Sequence, residues 1–122
     1  MQKEYFKRQV EIAKELNLPV SCHSRYAGHY AMDILLESGI KKVQLHAYDG
    51  GKKSIKLGIQ AGYFFSIGNK VFEDIQTVNL VKLVPLDLLL IETDSPDMSL
   101  TTERNVFSNI SFFFLSIIVL FS

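Results

Sequence analysis

Residues 19–46 read PVSCHSRYAGHYAMDILLESGIKKVQLH, and this stretch decides the fold class. Pro19–His23 is a short, largely apolar run opened by a proline, the pattern of a strand at its first residue. His29–Glu37 then repeats Ala31, Ile34 and Leu35 at helical spacing. Gly39 follows as a C-terminal cap, because glycine enters the left-handed conformation at little cost. Lys42–His46 is the next strand. Strand, helix and strand in so short a span form the repeating unit of parallel α/β proteins.

The same alternation extends in both directions. Upstream, Glu4–Leu16 places Phe6, Val10, Ala13 and Leu16 on one side of a helix that stops before Pro19. Downstream, Lys53–Gln60 reads as a short helix closed by Gly62, followed by the apolar run Tyr63–Ile67. Asn69–Leu83 reads as one longer helix with Val71, Phe72, Ile75, Val78 and Val81 on its buried stripe. Pro85 ends it, and Leu88–Thr93 is the last strand. Four strand–helix units in one direction fit part of a (β/α) barrel or a small doubly wound sheet. A closed barrel needs about 250 residues, so 122 residues are expected to form a partial TIM (β/α) barrel.

The strand ends carry chemistry. Side chains alternate faces along a strand, so His23 shares a face with Ser21 and His46 with Gln44, whereas Cys22 sides with Val20. Near the last strand, Asp94 shares a face with Glu92 and Leu90. Ligands of parallel α/β folds bind beyond the C-terminal ends of the strands. His23, His46 and Asp94 are therefore candidate ligands of a divalent metal, with a position left open for water. Hydrogen-bonded core residues are the competing reading, and the commoner fate of a single strand-end histidine. Glu92 either orients a ligand from behind or pairs with Arg25. Arg25 lies on the loop beyond His23, where its guanidinium could fork onto a phosphate or join a loop ion pair. His29 opens a helix and reads as a surface residue, and Cys22 as a small buried apolar one. Asp49-Gly50-Gly51 reads as a tight turn from which Asp49 could also face the site.

Composition narrows the function classes. The chain has 48% hydrophobic and 21% charged residues, which excludes disorder. One cysteine excludes a disulfide framework and a cysteine-based zinc knuckle. Thirteen basic and thirteen acidic side chains leave no net charge, so this is no general basic-patch binder of polyanions. The balance hides a split: residues 1–70 hold 11 Lys/Arg against 6 Asp/Glu, and residues 71–122 hold 2 against 7. Met1–Arg8 is charged and lacks the apolar run of a signal peptide. After Arg104 there is no charge, and residues 106–122 read VFSNISFFFLSIIVLFS. That length sits at the lower limit of a bilayer span, roughly 17 residues. A membrane anchor, a strand or helix packed on the body, and a tail foreign to the domain all fit it.

LPVSCHSR, KVQLHAYDG, AGYFFSIG and LLLIETDSP, in this order and spacing, resemble the second half of a TatD-family metal-dependent hydrolase, the deoxyribonucleases with a TIM-barrel fold. The likeness runs from about residue 5 to about Asn105, and LPV-x-x-HSR together with ETDSP is rather specific. It implies a divalent metal (Zn, Mn, Mg or Co), hydrolysis of phosphodiester bonds, and DNA as substrate. It also implies that His23, His46 and Asp94 are metal ligands, with Arg25 a candidate for substrate phosphate. The family's opening His-x-His strand and its later metal-binding Glu have no counterpart in this sequence. The resulting expectation is a partial TatD-like domain over 1–105 and an apolar tail over 106–122, with activity impaired by truncation. A hydrolase of small esters or amides and a non-catalytic product are the alternatives. An intracellular location, cytoplasmic or nuclear, is expected, with membrane contact possible only through the tail.

Overall fold

A computed structural model describes residues 2–24, 27–92 and 117–121 of the chain. The elements alternate: α1 (Gln2–Glu15), β1 (Val20–Ser24), α2 (Gly28–Ser38), β2 (Val43–His46), α3 (Lys52–Gln60) and β3 (Phe64–Ile67). A 3-10 turn at Asn69–Phe72 leads to α4 (Ile75–Leu83), and a second at Leu86–Leu88 leads to β4 (Leu89–Ile91). A fifth strand, β5, spans Ile117–Phe121. The sheet runs β4-β3-β2-β1-β5, and every neighbouring pair is parallel. The expected α/β architecture is present as a section of barrel wall, and among the described residues the sheet does not close.

Packing follows from the two periodicities. Along β1 and β2 burial alternates strictly, with Val20, Cys22, Ser24, Val43 and Leu45 on the buried side. That side meets Phe6, Val10 and Ala13 of α1 and Ala31, Ile34 and Leu35 of α2 in one core. α1 ends where Asn17 adopts a left-handed φ of 55°. Leu18 N–H then reaches the Ala13 carbonyl and Asn17 N–H the Lys14 carbonyl, closing the last turn. Leu16 therefore falls past the helix and is exposed, contrary to its expected place on the buried side. Gly39 caps α2 as expected, at φ 71°.

The helix expected over Asn69–Leu83 is broken. Asp74 takes an extended conformation and caps α4, its carboxylate accepting from the Gln76 and Thr77 amides at 3.2 and 3.3 Å. Such a cap competes with helix continuation, because it satisfies the first amides of a new helix from the side. The stripe changes with it: Phe72 and Ile75 are 75% and 67% exposed, and Leu80 is the buried residue of α4. The described part of the last strand ends at Ile91, and Thr93 lies outside the described residues.

Candidate metal centre

β1 and β2 pair in a register that sets His23 directly beside His46, and β3 adds Ser66 to the same row. Three parallel strands in phase thus bring equivalent positions to one end of the sheet, on the face opposite the helix-packed core. The two imidazole rings lie 5.3 Å apart between centroids, inclined at 50°. Glu92 follows β4 and is anchored by its amide, which donates to the Ile67 carbonyl at 2.8 Å. Its Oε2 stands 2.5 Å from His46 Nδ1, both side chains being largely enclosed. A carboxylate accepting from Nδ1–H fixes the tautomer that keeps a lone pair on Nε2, the arrangement that carboxylates behind metal-ligating histidines impose.

Two polar atoms of this row are buried without a hydrogen-bond partner among the described residues: His23 Nδ1 and Glu92 Oε1. Such orphans are costly unless something else pairs with them. Nitrogen and oxygen donors of this kind suit a divalent cation, so the pair of histidines fits the expected metal. Among the described residues no group of three or more such donors is assembled. Asp94, the third candidate ligand, and Arg25, the candidate for phosphate, lie outside the described residues.

The loops above the row are held by one side chain. Ala47 leaves β2 at a positive φ of 46°, an uncommon conformation for a residue with a Cβ. Tyr48 turns inward from there, donates to the Gly28 carbonyl at 3.1 Å, and meets Phe65 edge-on. Gly28 and Gly50 leave no room for a Cβ against this loop. Burial pushes the Tyr48 hydroxyl up to about 12, and the Cys22 thiol, on the helix-facing side, likewise to about 12. Asp49 is exposed, on the rim of a small cavity of about 40 Å³ that Ser66 and Lys70 also line. His29 is exposed and stacks near Tyr30, as a surface residue.

The sequence reading brought His23 and His46 together and left the partner of Glu92 open between a ligand and Arg25. It missed Ser66 as a member of the row. Ser66 is buried, and its hydroxyl donates to the Leu45 carbonyl at 3.4 Å. The signal was its phase at the end of the third strand. Among the described residues no helix is long and apolar enough to cross a membrane.

The family model described as TatD related DNase matches residues 1–115. "Deoxyribonuclease TATDN3" of Homo sapiens is 45% identical over 105 residues, covering 86% of this chain and 38% of that protein. "Uncharacterized metal-dependent hydrolase YabD" of Bacillus subtilis is 36% identical over 100 residues, covering 79% of this chain and 39% of that protein. "Deoxyribonuclease Tat-D" of Schizosaccharomyces pombe is 29% identical over 99 residues, 79% and 32% of the two chains. The chain spans well under half the length of these relatives. With almost its whole length under the family model, the chain belongs to the TatD family.

Proposed function

We propose that the chain carries one side of a TatD-type hydrolytic site, in which His23 and His46 hold a divalent cation with Asp94, and whose substrate is a phosphodiester bond of DNA. The observation that carries this reading is the in-register histidine pair, with Glu92 on His46 Nδ1 and with His23 Nδ1 left without a partner among the described residues. The cation, of the Zn, Mn, Mg or Co class, would supply Lewis acidity toward the phosphoryl oxygens. Glu92 keeps the His46 ring turned and, by accepting from Nδ1–H of the neutral ring, leaves Nε2 as the nitrogen available to the cation. Arg25, two residues beyond His23, offers a planar pair of donors that matches two phosphate oxygens. The names of the human and fission-yeast relatives support DNA as the substrate, and the name of the Bacillus relative supports the metal.

Calorimetric titration of Zn²⁺ and Mn²⁺ into the full chain tests it, with His46→Ala and Asp94→Asn alongside. Saturable binding that both substitutions weaken is expected. Binding indifferent to His46→Ala, or none, would sink the proposed site. Hydrolysis of a 3′-ended DNA strand, set against a small aryl ester, decides the substrate class.

A further inference from the structure

Ala47 is the residue that turns the chain away from His46. In β2, Val43 and Leu45 face the helices, while Gln44 and His46 face the other side. Continued as a strand, residue 48 would share the face of His46. Ala47 takes a φ of 46°, and Tyr48 is carried across to the helix side, where it joins the core at 8% exposure. Its ring meets Phe65 with centroids 5.7 Å apart, and Phe65 is the register partner of Leu45. Its hydroxyl donates to the Gly28 carbonyl at 3.1 Å and accepts from the Ser54 side chain in the first turn of α3.

A left-handed φ costs free energy for a residue with a Cβ, and it persists only where the surroundings hold it. An ordinary negative φ at Ala47 would withdraw the Tyr48 ring from Phe65 and its hydroxyl from Gly28. Gly28 opens α2, in the segment that follows His23, and Tyr48 lies in the segment that follows His46. One hydrogen bond thus ties together the two stretches of chain that leave the histidines. The seat is close-fitting: Gly50 lies against the Tyr48 hydroxyl, and a Cβ on Gly28 would come within 2.8 Å of Asp49 Oδ1 and of the Gly50 amide nitrogen.

We propose that Tyr48 is a positioning residue of the metal site. It holds Ala47 in the left-handed conformation, and that turn sets the His46 ring against Glu92 and beside the ring of His23. The inference rests on the metal site proposed above. Without the Tyr48 hydroxyl, Ala47 relaxes toward negative φ in part of the population. A cation must then restore the turn before it binds, and its apparent affinity falls with the fraction of competent chains.

Zinc calorimetry on the full chain tests this, with Tyr63→Phe as the control. The Tyr63 hydroxyl donates to the Ile40 carbonyl at 3.0 Å, a bond of the same kind ahead of β2 and β3, at the end of the sheet away from the histidines. Tyr48→Phe and Tyr63→Phe are expected to lose similar stability to urea. Only Tyr48→Phe should weaken zinc binding, by about fivefold for one hydrogen bond. Glycine takes either sign of φ about equally, so in an Ala47→Gly background the same substitution should cost less than about twofold. Wild-type affinity in Tyr48→Phe, an equal loss in Tyr63→Phe, or an undiminished loss in the Ala47→Gly background each overturns the assignment.

If the unaltered chain binds no zinc, the metal site itself falls, and the metal-free chain decides on Tyr48. Ring-nitrogen NMR should find the His46 proton on Nδ1 in the unaltered chain and in Tyr63→Phe, and shared between both nitrogens in Tyr48→Phe. A His46 ring unchanged by Tyr48→Phe overturns the positioning role. Should Tyr48→Phe fail to fold, Ser54→Ala removes the other bond to the same hydroxyl. It is expected to weaken zinc binding by a smaller factor, which Ala47→Gly again removes, and no weakening overturns the role.

Discussion

The two halves of the helix layer differ in how well they use their apolar residues. α1 and α2 bury Phe6, Val10, Ala13, Ala31, Met32, Ile34 and Leu35 against β1 and β2. The region from Asn69 onward buries Leu80 and Val84 but leaves Phe72, Ile75, Leu86 and Ile91 between 67% and 86% exposed. Hydropathy is similar in kind, but position differs. α2 packs against both α1 and α3, while α4 packs against α3 and the short 3-10 turn at Asn69–Phe72. A helical stripe is buried when there is a neighbour to receive it, so an apolar period measures the possibility of burial and not its extent.

Substitutions can sharpen that contrast. The largest effect is expected from Phe6→Ala, about 3–5 kcal/mol of lost stability for a buried ring whose cavity cannot fully collapse. Phe72→Ala, an equal loss of atoms in the exposed region, should stay within about 0.5 kcal/mol. Urea unfolding of both variants checks it, and comparable losses would break the comparison. Glu92→Gln follows: weakening the acceptor behind His46 should lower zinc affinity by about 10–100-fold with little change in unfolding, as when other carboxylates that orient ligating histidines are altered. Equal affinity in calorimetry would remove Glu92 from the site.

Asp74→Ala is next, at about 1 kcal/mol for a lost cap. The Thr77 hydroxyl, which donates to Asp74 at 2.9 Å, leads the interactions holding its carboxyl below the usual range, aided by the Gln76 and Thr77 amides and Lys70. A folded value below the unfolded one means that its stabilisation is complete above about pH 4. It drains away as the pH falls through the folded value. The wild-type advantage over Asp74→Ala should therefore shrink in acid, measured by melting curves at pH 7 and pH 2.5. The smallest perturbation concerns Cys22, whose thiol burial raises to about 12. Iodoacetamide at pH 7.5 should label it only at the rate of unfolding, and prompt labelling would show the well-packed half to be open.

Legibility in the sequence followed the same divide. β1 and β2 were readable because each alternates apolar and polar residues cleanly and ends at the same phase, which alone aligns His23 with His46. The break at Asp74 was hidden, since a capping aspartate inside an apolar-periodic run leaves that period intact on both sides. Leu16 was misplaced because Asn17 ends the helix by a backbone conformation that spacing does not encode. Glu92 could be assigned a face but not a partner, because its 2.5 Å approach to His46 joins residues 46 positions apart across the neighbouring strands β2, β3 and β4. Asp94 and Arg25 lie outside the described residues, so their legibility stays at the level of motif.

The place of β5 also sets an order of events. β1, β2 and β3 pair with strands about 20 residues away, whereas β1 and β5 join positions nearly a hundred residues apart. Loop-closure entropy grows with the logarithm of that separation, a difference of about 1.3 kcal/mol here. Of the four pairings in the sheet, that of β1 with β5 closes the longest loop and is expected to be the last to form.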